Sequence, residues 1–510
     1  MRRAYPALIF CALLFCGCVA PLAPYNLLVR WGSDEPLKDR LEKSRKLIED
    51  RKKQAYSFTL AEKAAIFEAE RDFFRLPEPF EFFTVRMLNK ETADKISTSP
   101  SFISENLVML AFKYSATKDL ESIKEASRLL EMLLWVDDYF GKKGQWPADL
   151  HITQEPIFEV VKKKLIYMGY GPYGHLYFSD DAHGNTVSPH FLGAYLSYRL
   201  FDDLKIRKQS VEIIRRNINY LLDEGFVLKK LNGEPTTHGG LSGNEYFGFA
   251  KNALVARLMF LEVARTVLEK EREIGDLKLL NRIRKDLDKL YKDEVPEGLE
   301  RIGPHFGNLW FSTPSSNGRV FRNFYLLILA AGNREKSGSY WKAFQYQWIQ
   351  FREDHNPFLS FLYFSLVPAD QWEFKDQRAK AMALEYLKSV PLDRDDREIL
   401  NSFFGKDDGV DIDIFPRVYK FKLHPKNKIP LPIYCRGVVR NEWSNEPYRL
   451  NENLGKNGSN LCTPIDFLTA YYLGLVSGFI PIGEQKVDMD KVEKYLKEAL
   501  PVFEKYRYKQ

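Results

Sequence analysis

A chain of 510 residues is long enough for two or three average domains, or for one large helical array around a shared core. Hydrophobic residues at 45% and charged residues at 28% exclude general disorder. The net charge of +6 is spread without a basic block, which excludes a nucleic-acid footprint. With 37 Phe and 27 Tyr the chain is rich in aromatics, which first suggests wide spaces between packed helices and only second a sugar-binding cleft.

At the N-terminus, Arg2 and Arg3 precede an apolar run, 7–15, that is too short to span a bilayer and has the shape of an export signal. The run L-F-C-G-C, with small Gly17 before Cys18, resembles a bacterial lipobox. Cys18 is therefore expected to be the lipidated first residue of the mature chain, with 1–18 as its signal. Phe15 stands where such a box usually has an aliphatic residue. In an exported chain the two remaining cysteines, Cys435 and Cys462, either form one disulfide or stand as two buried thiols.

Residues 19–99 read as a tether followed by N-terminal helices. Pro21, Pro24 and Gly32 mark the tether, 38–53 is a charged helix with a solvated face, and Thr59-Leu60-Ala61-Glu62 is a capping box that opens a helix to 74. Helix pairs follow. Leu107, Leu110, Ala111 and Tyr114 form one stripe; Leu120, Ile123, Ala126, Leu130 and Leu133 form the next. Only 116–119 separates them, which forces antiparallel neighbours. Two loops, 141–156 and 169–184, precede a helix striped by Val211, Ile214, Ile218 and Leu221 and closed by Gly225. The β-prone run 226–230 and the Asn232-Gly233 turn predict a hairpin, followed by a helix carrying Leu254, Leu258, Leu261 and Leu268.

Further helices are predicted over 274–290, 321–331, 340–351, 357–366, 375–388, 466–480 and 487–506, with a long loop at 296–317. The period breaks over 403–460, where prolines cluster and Val418-Tyr419-Lys420-Phe421-Lys422 alternates like a strand. Ten or more antiparallel helices with long loops at alternate joints predict an all-α fold: an (α/α) toroid or barrel over 100–480. Its irregular, partly β insert is expected at 403–460, and 481–510 is expected to be a separate C-terminal helix. No fixed repeat period supports the rival solenoid.

The order of several short pieces resembles a family of bacterial exported or lipid-anchored (α/α)6-toroid proteins related in scaffold to glycan-active enzymes. The pieces are Ala116-Thr117-Lys118-Asp119, His190-Phe191-Leu192-Gly193, and Asn232-Gly233-Glu234-Pro235-Thr236-Thr237-His238-Gly239. They continue with Asn356-Pro357-Phe358-Leu359, then Pro391-Leu392-Asp393-Arg394 with Asn401-Ser402. The resemblance implies a toroid and a glycan-related role. It also implies acidic residues where this chain has Thr186-Val187-Ser188-Pro189 and Ser316-Asn317-Gly318, an Arg-Trp pair where it has Thr237-His238, and an arginine where it has Leu475. Acid and base work on a glycosidic bond needs facing carboxylates, or a carboxylate with Tyr or His, and those places are vacant.

The remaining catalytic candidates are Asp180, Asp181 and His190, against readings as a solvated loop pair and a core histidine. Loops at alternate joints of a toroid gather at one mouth. There they would supply Tyr170, Tyr173, His183, His238, Glu245, His305, Trp310 and Trp443 as ligand-binding residues. Otherwise those aromatics pack the insert onto the helices. Asp408, Asp411 and Asp413 lack the ligand spacing and terminal glutamate of a calcium loop, and no motif for a transition metal, phosphate loop or serine nucleophile occurs, so neither metal nor cofactor is expected. The expected function is binding of a glycan or envelope component by an anchored protein whose catalytic site has degenerated. The alternatives are an active glycoside hydrolase or polysaccharide lyase, and a structural subunit of an envelope assembly.

Overall fold

The computed structural model describes residues 37–75, 87–89, 95–153, 166–171, 174–241, 249–271, 276–293, 314–332, 334–394, 432–435 and 460–506. In chain order its α-helices are α1 (Leu37–Ser57), α2 (Leu60–Arg71), α3 (Pro100–Thr117), α4 (Leu120–Tyr139), α5 (Gly184–Leu200), α6 (Leu204–Asp223) and α7 (Phe249–Glu271). They continue as α8 (Leu277–Asp293), α9 (Pro314–Ala331), α10 (Arg334–Phe351), α11 (Pro357–Leu366), α12 (Phe374–Lys388), α13 (Ile465–Val476) and α14 (Met489–Tyr506).

Their packing closes on itself. α3 packs on α5, α5 on α7, α7 on α9, α9 on α11, α11 on α13, and α13 returns to α3. Each member of this inner ring carries an outer partner: α4 on α3, α6 on α5, α8 on α7, α10 on α9 and α12 on α11, with α2 in the sixth outer place against α13. The protein is an (α/α)6 toroid. Sequence explains which helices go inside. α11 buries eight successive residues from Pro357 to Phe364, and α13 buries all but one of the ten from Ile465 to Gly474, so neither has a polar face to give to water. Outer α6 and α8 instead bury single stripes, such as Leu279, Leu280, Ile283, Leu287 and Leu290 in α8.

The join between the chain's two ends is polar as well as apolar. Arg71 of α2 donates two hydrogen bonds to Glu125 of α4, at 2.7 and 2.9 Å. Glu68 accepts from Tyr472 of α13 at 2.9 Å and pairs with Lys113 of α3 at 3.1 Å. Buried Lys63 donates to the carbonyls of Lys388 and Val390 at the end of α12, at 2.5 and 2.8 Å. Helix α14 then lies over α2. Thus α2 and α14, on either side of the 100–480 span expected for the toroid, both take part in closing it.

Local signals in the sequence set the joints. Thr59 and Glu62 exchange the bonds of a capping box. Lys118 adopts the left-handed conformation and Asp119 caps α4 within the short 116–119 joint. Gly225, at φ +60°, ends α6, and Phe226 N donates back to Leu221 O at 2.7 Å. This is a Schellman close, in which the left-handed residue turns the last amides onto orphan carbonyls.

The strands differ from expectation. They are β1 (Met87–Asn89), β2 (Lys95–Thr98), β3 (Asp149–Thr153), β4 (Ile166–Gly171), β5 (Gly174–Ser179), β6 (Val227–Lys229), β7 (Pro235–Gly240) and β8 (Asn460–Cys462). Segment 169–184, expected to be a loop, forms much of a four-stranded antiparallel sheet in the order β2-β3-β5-β4. β1 pairs with β8, and β6 with β7 in the predicted hairpin. Three of the four strands of the largest described sheet therefore come from the α4–α5 joint. Of the expected partly β insert, only 432–435 and Asn460 are among the described residues. Cys435, in a 3-10 turn, and Cys462, in β8, are both buried. Two helices start earlier than the apolar period suggests: 314–317 is the first turn of α9, and 334–339 opens α10 with a polar stretch that carries no stripe. No described helix is long and apolar enough to cross a membrane.

Candidate functional site

Chain direction fixes where a site can be. Joints from inner to outer helix are short, as at 117–120, 200–204, 271–277 and 331–334; return joints are long at 139–184, 223–249, 293–314 and 388–465, with the short 351–357 return as the exception. Each antiparallel pair reverses the chain, so all six inner helices present their N-terminal ends at the mouth where the long joints lie. Two of those joints are knitted together there. Leu231 N donates to Asp180 Oδ2 at 3.1 Å. Thr237 donates to Asp181 twice at 2.7 Å, from its N–H to Oδ1 and from its hydroxyl to Oδ2. Gln145 Nε2 donates to Lys229 O at 2.8 Å.

Both aspartates named as catalytic candidates thus hold the β6–β7 hairpin against the end of β5. With both oxygens of Asp181 engaged, their observed work is positioning. His190 sits in different surroundings. It is fully buried in α5, its Nδ1 lies 2.7 Å from the Ser104 hydroxyl of α3, and the Trp146 ring stacks on it at 4.1 Å. Trp146 Nε1 in turn donates to Asn217 at 2.6 Å. Burial without a charged partner drives the His190 pKa down to about 3, so the ring is neutral across ordinary pH. A histidine sealed from solvent and held neutral fits the reading as a core histidine, the alternative to an acid–base role. Three residues on, a Cβ at Gly193 would lie 2.7 Å from Ser104 O. The H-x-x-G piece is therefore an α3–α5 packing device.

Of the other expected site residues, His183 is the N-cap of α5, its carbonyl accepting from Thr186 N at 2.7 Å. Tyr170 and His238 are placed as backbone positions in β4 and β7. Tyr173, Glu245, His305, Trp310 and Trp443 lie outside the described residues, as does Cys18. Several described aromatics pack helices together. Trp348 of α10 stacks on Tyr363 of α11 at 4.4 Å and 11°, and Phe191 of α5 meets Phe260 of α7 at 4.5 Å. The family-like pieces have similar work: Asn356 caps α11, and Arg394 donates to the carbonyls of Cys462 and Thr463. In these two pieces the sequence supplies joint and packing chemistry.

Sequence reasoning missed the charged residues of the bore. Arg322 Nη1 of α9 lies 3.9 Å from Glu105 Oε1 of α3. These two helices are opposite members of the six-helix ring, so this pair crosses the bore. Arg319, three residues nearer the mouth, falls on the same face of α9. Burial, and then the neighbouring Arg322 charge, pull its pKa down to about 10. The available signal was two arginines at i and i+3 inside an apolar helical period, a costly placement for an inner helix. Among the described residues no cluster of His, Cys, Asp or Glu could hold a metal ion.

No protein-family profile matches the chain. No curated protein matches it significantly. Among solved structures it is similar to the cellulase Cel9M of C. cellulolyticum, at 9% identity and a TM-score of 0.37, over 82% of this chain and 98% of that one. The toroid assignment rests on the closed helix packing described above.

Proposed function

We propose that this protein is exported, held to the bacterial envelope by a lipid on Cys18, and binds a glycan or another envelope component at the long-joint mouth of its toroid. The observation that carries this reading is the charged bore, crossed by Arg322 and Glu105, at the end of the ring to which the 139–184 and 223–249 joints belong. Charged groups reaching across a largely apolar ring are what a polar ligand needs. Binding is favoured over catalysis because Asp180, Asp181 and His190 each have structural partners.

The test of binding is a screen of the detergent-solubilised full chain against envelope and plant polysaccharides, with product analysis. Retention of at least one glycan without release of fragments is expected. Fragment release would establish the hydrolase or lyase reading instead, and retention of none would leave the scaffold reading. For the anchor, Cys18→Ser should move the protein from the membrane fraction to the soluble one; unchanged partition and unchanged mass would refute lipidation at this position.

A further inference from the structure

Arg319 stands apart from the other charged groups of the bore. Arg319 and Arg322 share one face of α9, and Glu105 of α3 reaches across to Arg322 at 3.9 Å. Arg319 is partly buried, and among the described residues it has neither a carboxylate nor a hydrogen-bond partner. Removing a guanidinium from water beside a second one is unfavourable unless an anion compensates it. Neither helix folding nor packing requires that arrangement here, since an apolar side chain would suit an inner helix better. Two buried hydroxyls, Ser188 of α5 and Ser360 of α11, also lack partners among the described residues. Each lies in the first two turns of its inner helix, as Arg319 does in α9.

We infer that the bore contains a subsite for an anionic group, with Arg319 as its principal donor and Arg322 beside it, and that the ligand at the mouth is an acidic saccharide. The saccharide half of this inference rests on the proposed function; the anion subsite does not. A planar guanidinium offers paired N–H donors that match the two oxygens of a carboxylate or sulfate, and a bond between charged partners in a partly dry bore is stronger than in water. Glu105 sets the position of Arg322, leaving Arg319 to meet the ligand. It also disfavours an anion that approaches from the α3 side.

The experiment has two arms, both on the full chain. In the first, sodium sulfate is titrated at constant ionic strength while thermal unfolding is followed, for the natural protein, Arg319→Gln and Arg319→Lys. The natural protein should show a saturable rise in Tm that is lost in Arg319→Gln and partly kept in Arg319→Lys. Without sulfate, Arg319→Gln should melt at or above the natural protein, because it removes an uncompensated cation. A lower Tm for that variant, or a sulfate response equal to the natural protein's, overturns the subsite.

The second arm compares binding of hexuronate oligomers, sulfated oligomers and neutral oligomers of equal length. Acidic oligomers should bind more tightly, and Arg319→Gln should weaken them by about tenfold, the loss of one charge-assisted bond, while leaving neutral ones unchanged. The preferred acid distinguishes carboxylate from sulfate. Equal binding of acidic and neutral oligomers by both proteins refutes the acidic ligand while sparing glycan binding. A sulfate response with no oligomer bound keeps the subsite and refutes the saccharide.

Discussion

Replacing Arg71 with alanine is expected to destabilise the protein by about 3–5 kcal/mol, the usual cost of breaking a buried ion pair by removing one partner. The Arg71 side chain is 4% exposed and reaches from α2 to Glu125 of α4 with two short hydrogen bonds. Burial alone would raise the Glu125 pKa, but Arg71 and then Arg75 outweigh it and hold that carboxyl below its ordinary range. Without Arg71, Glu125 keeps Arg75 at 2.9 Å, and Glu68 keeps Lys113. The loss should therefore be large without abolishing folding. Because α2 fills the sixth outer place, the effect should appear as a lower midpoint of one cooperative transition, seen equally by probes in α4 and α13. A midpoint unchanged within error would mean that the chain's two ends are not joined through this pair. Glu125→Gln in the Arg71→Ala background should recover part of the loss, since it removes the charge left behind.

The second large effect is a pH dependence set by Glu70. Its carboxyl lies wholly buried on α2, and both oxygens lack a hydrogen-bond partner. Burial raises its pKa to about 8; the Arg394 guanidinium opposes this, and the Asp393 carboxylate adds to it. Tyr495 of α14 also feels the Glu70 charge. In the unfolded chain the group titrates near its ordinary 4.5. Between 4.5 and about 8 the folded state therefore holds a proton that the unfolded state has released, and stability must fall as pH rises.

The stabilisation is complete below 4.5 and gone above about 8, at about 1.4 kcal/mol per pH unit between, for a total of about 5 kcal/mol. Glu70→Gln should remove this slope. Urea unfolding midpoints at pH 4.5, 6, 7 and 8.5 give the comparison: the variant should gain on the natural protein steadily and exceed it by several kcal/mol at the top. Parallel pH profiles would show that Glu70 is ionised in the folded state. His190 acts on the acid side with the opposite sign. Its folded pKa of about 3 lies below the ordinary 6.5, so stability is lost as pH falls between those values.

What the sequence disclosed was local. The Thr59–Glu62 box, the Gly225 close, the Asn232-Gly233 hairpin and the Asn356-Pro357 start of α11 all depend on neighbours within a few residues, and all form where the pattern predicts. The alternation of short and long joints was legible too, and with it the toroid. The sheet was not. Glycines at 169, 171 and 174 read as turn punctuation, whereas β4 and β5 pair around an irregularity between Tyr167 and Gly169. Strand pairing of that kind depends on distant partners such as β3, which no local window contains.

Ring closure by α2 depends on contacts between residues hundreds of positions apart, such as Lys63 with Val390. The site suffered most from the same limit. Asp180, Asp181 and His190 are the chemically suggestive residues in a linear reading, yet packing engages all three. Arg319 and Arg322 became visible only once α3 and α9 were known to face each other.

Hydrogen exchange with and without a bound acidic oligosaccharide tests the bore site most directly. Protection should appear in the first two turns of α3, α9 and α11, around residues 100–106, 314–322 and 357–360, and be lost in Arg319→Gln. Protection confined to outer helices α4, α6 and α8, with binding intact in that variant, would place the ligand on the outside of the ring and contradict the account.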